Sequence, residues 1–114
     1  MTPTEISAML VGISAAVPVY YDHADNGVKV PFIEWTFSST SNFNADNTTY
    51  KEVFDVRVCF YSIVKDMTTE GLIKSTLTDN DLPFSHKENH IDDEKLYQEI
   101  FTFSVIDGNK LGGN

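Results

Sequence analysis

Residues 42–66, with the sequence NFNADNTTYKEVFDVRVCFYSIVKD, combine three structural signals in immediate succession. The first six residues are rich in Asn, which is typical of turns and loops. Apolar and polar side chains then alternate, as in a strand with one buried face. The apolar positions of this strand are Phe54, Val56, Val58 and Phe60. Because Asp66 can then cap a helix, the stretch predicts a loop, a long two-faced strand and a helix start.

Two helices are predicted, one before this stretch and one after it. The first has Pro3 in its opening turn and ends before Pro18. The second begins at Asp66 or Thr68 and ends by Pro83. Their apolar stripes consist of Ile6, Met9, Leu10, Ile13 and Val17 in the first helix, and of Leu72, Ile73 and Leu77 in the second. This helical spacing indicates that each helix lays one face on a sheet.

Five segments have the composition and alternation of strands. They are residues 19–21, 30–37, 50–61, 84–86 and 96–105. The order of elements is therefore α-β-β-β-α-β-β. This order predicts an α+β fold, with an antiparallel or mixed sheet of about four to five strands and both helices packed on one face. We expect a single domain over residues 1–106 and a flexible, glycine-rich tail over residues 107–114.

The connections between the first strands carry two further predictions. The sequence Asp-Asn-Gly at residues 25–27 is a strong turn signal, so strands 19–21 and 30–37 are expected to form an antiparallel hairpin. Residues 38–49 are rich in Ser, Asn and Thr and are expected to form a long loop. Loops of this length often carry binding contacts.

The sheet face that the helices leave uncovered is expected to carry Tyr, Trp, Asp, Arg and Glu side chains. In a monomer, some of these large aromatic rings would remain partly in water. Exposed apolar patches of this kind usually mark an interface with another protein.

The charge and cysteine content restrict the partners and the location of the chain. It has 17 acidic and 8 basic side chains, for a net charge of −9. Free nucleic acid is an unfavourable partner, because phosphate binding needs a basic face. The N-terminus lacks the pattern of a secretory signal, and no apolar run is long enough to span a bilayer. The single cysteine, Cys59, excludes a disulfide within the chain, which fits a reducing cytoplasm.

One acidic segment, residues 86–94, resembles a metal site. His86 and His90 are four residues apart, as on a zinc-binding helix, but the segment is predicted as strand and turn. The sequence also has no nucleophile elbow, phosphate loop or dinucleotide motif. We therefore expect no catalytic residues, no cofactor and no metal. A small metal-dependent enzyme that uses His86, His90 and Asp92 is kept as an alternative.

Several short segments together are similar to a family of phage proteins. They are residues 31–33 (PFI), 42–47 (NFNADN), 50–51 (YK), 65–66 (KD) and 94–98 (EKLYQ). In this order they resemble the tail terminator family of phages with long non-contractile tails, also described as tail completion or head–tail joining proteins. The resemblance spans residues 30–106.

This resemblance implies a structural virion protein without catalytic activity. Members of the family form a ring, expected to be a hexamer, that caps the tail tube, ends its polymerisation and offers a surface to the head connector protein. DNA passes through the ring without specific binding, and the protein lies at the head-proximal end of the tail after assembly in the host cytoplasm. A head-completion protein that contacts the portal is the alternative. The contacts are expected at Asn42, Phe43, Asn44, Ala45, Asp46, Asn47, Tyr50 and Lys51.

Overall fold

The structure is a computed structural model that describes residues 3–13, 17–22, 24, 29–45 and 49–106. In this part of the chain, helices and strands follow one another in the predicted order. They are α1 (Pro3–Val11), β1 (Val19–Tyr21), β2 (Phe32–Ala45), β3 (Thr49–Ser62), α2 (Met67–Asp79), β4 (Phe84–Ile91) and β5 (Leu96–Ile106). The strands form one mixed sheet in the order β1-β2-β3-β5-β4, which confirms the predicted α+β fold. The predicted tail, residues 107–114, lies outside the described residues.

The two helices differ in how closely they follow the prediction. Helix α1 ends at Val11, before the predicted end, and the Ile13 amide then closes a tighter turn on the carbonyl of Leu10 at 2.9 Å. Helix α2 is capped by Asp66, as predicted. The Asp66 carboxylate accepts hydrogen bonds from the Thr69 amide at 3.0 Å and the Thr69 hydroxyl at 2.7 Å. Neither described helix is long and apolar enough to cross a membrane.

The first strand pairs differently from the prediction. Strands β1 and β2 are parallel, with Val19 opposite Ile33 and Tyr21 opposite Trp35, so the expected antiparallel hairpin is wrong. A parallel pair needs a connection that returns the chain to the same end of the sheet, rather than a tight turn. After β1, the amide of Asp22 still donates to the carbonyl of Trp35 at 2.7 Å, which extends this pairing. The turn signal itself, at residues 25–27, lies outside the described residues.

The predicted loop over residues 38–49 is largely strand. Strand β2 continues to Ala45 and β3 begins at Thr49, with an irregularity in the pairing between Phe37 and Ser39. Backbone hydrogen bonds between the two strands do not depend on apolar side chains, so the polar composition of this segment does not require a loop. The same reason explains β4, which continues beyond the predicted 84–86 through a charged segment at the edge of the sheet.

A single hydrophobic core lies between both helices and one face of the sheet, as predicted. Its fully buried members are Ile6, Leu10, Ile33, Val56, Val58, Phe60, Ile73, Leu77 and Phe101. Trp35 also belongs to this core and is only 5% exposed, so the prediction that Trp lies on the uncovered face is wrong. Alternation along β2 places Trp35 on the same face as Ile33, and the ring of Tyr21 packs against it at 4.8 Å.

Candidate functional site

The sheet face opposite the helices carries a row of half-buried aromatic rings. The ring of Phe32 lies between those of Tyr20 and Tyr61, with centroid separations of 6.1 Å and 5.1 Å. The Tyr61 hydroxyl accepts a hydrogen bond from Nε2 of Gln98 at 3.0 Å, which fixes the position of its ring. Both described helices pack on the other face, so neither of them covers these rings. We call Tyr20, Phe32 and Tyr61 the aromatic row.

Polar side chains lie beside the aromatic row on the same face. The carboxylate of Glu34 accepts a hydrogen bond from the Ala24 amide at 2.6 Å. Further along β3, Asp55 accepts one from the Ser104 hydroxyl at 2.6 Å, and Arg57 is exposed. An aromatic centre with a polar border is the usual composition of a protein–protein interface.

Two titratable groups of this face, the Cys59 thiol and the Tyr61 hydroxyl, have raised pKa values. Burial raises the pKa of the Cys59 thiol, against the opposing effect of Arg57. Burial also raises the pKa of the Tyr61 hydroxyl. The thiolate is the nucleophilic form of cysteine, so a raised pKa opposes reactivity. Cys59 and Tyr61 therefore contribute to this face by packing and hydrogen bonding.

Among the described residues, strands β2 and β3 extend beyond the other strands of the sheet as a two-stranded ribbon. Pairing of β3 with β5 ends at Val53 and Ile106. Beyond that row, β2 and β3 pair with each other from Asn42 opposite Glu52 to Ala45 opposite Thr49. At about 3.4 Å per residue, this β2–β3 ribbon, residues 42–45 and 49–52, extends for about 14 Å.

The predicted contact residues fall mainly on this β2–β3 ribbon. The four residues from Asn42 to Ala45 lie in β2, and Tyr50 and Lys51 lie in β3. Phe43 is opposite Lys51, and Asn44 is opposite Tyr50. Asp46 and Asn47 lie outside the described residues. The structure thus brings the described contact residues together, but on paired strands rather than in a loop, and their role in contacts stays a prediction.

A cluster of charged side chains lies between α2, β4 and β5, on the helix side of the sheet. Glu99 on β5 is 2% exposed, and its Oε1 atom lies 2.6 Å from Nε2 of His86 on β4. The ring of His86 stacks on that of Phe101 at a centroid separation of 4.6 Å. Glu70 on α2 completes the group, and one ligand atom from each of Glu70, His86 and Glu99 lies within 4.8 Å of the others. We call these three residues the Glu–His–Glu cluster.

Two lysines at the border of the cluster lower the pKa values of carboxylates in or next to it. Nζ of Lys74 donates to Oε2 of Glu70 at 2.9 Å and lowers the pKa of Glu70. Lys65 donates to Glu88, which neighbours Glu99, and lowers the pKa of Glu88. Burial instead raises the pKa of Glu99. A negative charge on Glu99, next to those of Glu70 and Glu88, is therefore unfavourable unless a cation comes close.

The metal set considered from the sequence is not assembled as one group. Along β4, His86 and His90 are separated by about 14 Å, because a strand rises by about 3.4 Å per residue. His90 instead pairs with Asp92 at the exposed end of the strand, where Nδ1 and Oδ1 are 2.7 Å apart. Of the three residues, only His86 belongs to the Glu–His–Glu cluster.

Comparison with known proteins adds one finding. No protein-family model and no curated protein matches the chain. The fold is similar to that of a chain in the virion of a native gene transfer agent particle. The TM-score is 0.62 and the sequence identity 12%, and the match covers 87% of this chain and 84% of the virion chain. At this identity the likeness concerns the fold.

Sequence reasoning did not identify two members of the Glu–His–Glu cluster. Glu99 alternates in phase with Phe101 and Phe103, which places its carboxylate on the apolar face of β5. This position could have marked Glu99 as a buried charged residue. Glu70 precedes Ile73 by three residues and Leu77 by seven, which places it on the buried face of α2. Their meeting with His86 depends on how α2 crosses the sheet, which local spacing does not determine.

Proposed function

We propose that the chain is a structural protein of a phage or phage-like virion, which caps the tail tube as a homo-oligomeric ring and joins the tail to the head. The observation that carries the proposal is the likeness, over most of both chains, to the fold of a chain in the gene transfer agent virion. The resemblance of the contact segments to tail terminator proteins supports a position at the head-proximal end of the tail and a hexameric form.

The β2–β3 ribbon supports an assembly role on physical grounds. A two-stranded hairpin is marginally stable in water when nothing packs against it. Its outer rows, from Asn42 opposite Glu52 onwards, have no third strand within the described part of the sheet. In a ring, a neighbouring subunit or the tail tube would supply the missing contacts.

The aromatic row supplies a second surface for assembly. Phe32 and Tyr61 are half-buried in the single chain and share their sheet face with the exposed Arg57, which lies four residues along β3 from Tyr61. Burial of aromatic side chains provides much of the binding energy at protein interfaces. The charge of the chain suits a passage for DNA, because a net charge of −9 does not retain a polyanion.

The proposal is tested by adding the purified protein to tail tube protein that is polymerising, with tube length measured by electron microscopy. We expect shorter tubes with a ring at one end. Arg57→Glu should weaken capping, because it reverses an exposed charge on the same sheet face as the aromatic row without entering the core. Lys95→Glu, at the exposed turn between β4 and β5, is the matched control and should cap normally.

Two results would contradict the proposal. One is that tubes grow to the same length with and without the protein. The other is binding to portal rings in preference to tubes, which would favour the head-completion alternative.

A further inference from the structure

The Glu–His–Glu cluster brings together three metal-ligand side chains from three separate elements. Glu70 lies on α2, His86 on β4 and Glu99 on β5. Their ligand atoms lie within 4.8 Å of one another. Around a tetrahedral zinc ion, with bonds of about 2.1 Å, neighbouring ligand atoms are about 3.4 Å apart. Side-chain movements of about 1 Å would therefore bring all three ligand atoms to one ion.

A second and independent observation is an unpaired acceptor in the same place. Within the described part of the chain, Oε1 of Glu70 is buried and has no hydrogen-bond partner. Glu70 as a whole is only 8% exposed. A buried polar atom without a partner is less stable than the same atom hydrated by water. A bound cation at this atom would remove that penalty.

We propose that Glu70, His86 and Glu99 form a binding site for one divalent transition-metal ion, with zinc as the ion that fits them best. Imidazole nitrogen together with carboxylate oxygen is a ligand set that suits Zn²⁺ better than Mg²⁺ or Ca²⁺, which prefer oxygen ligands alone. The double positive charge offsets the two buried carboxylates. The side chain of His86 is 23% exposed, which leaves the site open to the solvent.

The lysines near the cluster do not block this site. Nζ of Lys74 donates a hydrogen bond to Oε2 of Glu70, so Oε1 of Glu70 stays available as a ligand atom. The Lys74 side chain is 39% exposed, so its charge can move into solvent when a cation binds. Lys65 is engaged by Glu88.

A metal ion here would connect α2 to the two strands beneath it. A ligand that binds only the folded chain stabilises it in proportion to the logarithm of the ratio of free ligand to Kd. The ion would therefore raise the unfolding temperature. This role is independent of the proposed capping of tail tubes, so either can fail without the other.

The test is isothermal titration calorimetry of the metal-free full-length protein with ZnCl₂. We expect one ion per chain and a rise in Tm in the presence of zinc. Glu70→Gln keeps the size of the side chain and should weaken zinc binding at least about tenfold, as should His86→Gln. His90→Gln is the matched control, because His90 lies on the same strand and pairs with Asp92 outside the cluster.

Different results would overturn the proposal. They are the absence of binding, equally strong binding of MgCl₂, or loss of binding in His90→Gln but not in His86→Gln. Circular dichroism and the Tm without metal establish that each variant folds. If His86→Gln is unfolded, Glu70→Gln decides: undiminished zinc binding by this variant would reject the site.

Discussion

Removal of the Asp66 carboxylate tests whether a local cap stabilises α2 as the structure indicates. Asp66→Ala loses both hydrogen bonds from Thr69, to the amide at 3.0 Å and to the hydroxyl at 2.7 Å. Replacing a helix N-cap by Ala lowers the free energy of unfolding by about 0.5–2 kcal/mol. Because Asp66→Ala loses two hydrogen bonds, we expect a decrease of about 1.5 kcal/mol. With an unfolding entropy of about 2.1 cal/mol/K per residue over the chain, Tm should fall by about 6 °C.

Urea unfolding followed by tryptophan fluorescence measures this change, because Trp35 is the single Trp and is buried in the core. Asp66→Asn is the matched control, since its amide oxygen can still accept a bond from the Thr69 amide. It should lose less than half as much free energy of unfolding as Asp66→Ala. Equal urea midpoints for wild type and Asp66→Ala would refute the capping argument.

The same cap predicts a dependence on pH. Hydrogen bonds from the Thr69 amide and hydroxyl lower the pKa of Asp66 below its ordinary value. The stabilisation is therefore fully present above the unfolded pKa of about 3.9, and it is lost as pH falls through the lower folded pKa. The difference in stability between wild type and Asp66→Ala should be constant from about pH 5 to 7 and shrink below about pH 3.9.

Three further predictions concern the core, the thiol and Asp46, which lies outside the described residues. Val58→Asp places a charge at a position that is 0% exposed, so it should cost about 3–5 kcal/mol and give a chain without cooperative thermal unfolding by circular dichroism. Cys59 is 6% exposed and its pKa is raised by burial, so an aromatic disulfide reagent at pH 8 should label it markedly more slowly in the native protein than in urea; equal rates would contradict its burial. Asp46→Ala should change stability by less than about 0.5 kcal/mol while it weakens tube capping; equal loss of Tm and capping would count against a contact role.

Alternation and capping were the signals that predicted most of the fold. The in-phase apolar positions of β3, such as Val56 and Val58, are fully buried, because a strand that faces a core must alternate. Asp66 caps α2, because a carboxylate three residues before Thr69 can reach its amide. Both signals act within a few residues of sequence, so they are visible without knowledge of the fold.

The features that were predicted wrongly depend on interactions between segments that are distant in the sequence. The polar composition of residues 38–49 suggested a loop, but pairing between β2 and β3 makes residues 38–45 and 49 part of strands. The parallel pairing of β1 with β2 depends on where the chain returns to the sheet, which turn formers at residues 25–27 do not specify. The Glu–His–Glu cluster likewise joins residues separated by up to 29 positions, from Glu70 to Glu99.

The proposed role is tested most directly by tail length in particles assembled without this protein. If the chain ends tube polymerisation, its deletion should give tails of variable and excessive length that are not joined to heads. Restoring the wild-type protein should return tails of uniform length. Tails of normal length together with unjoined heads would contradict the capping role and place the protein on the head side of the junction.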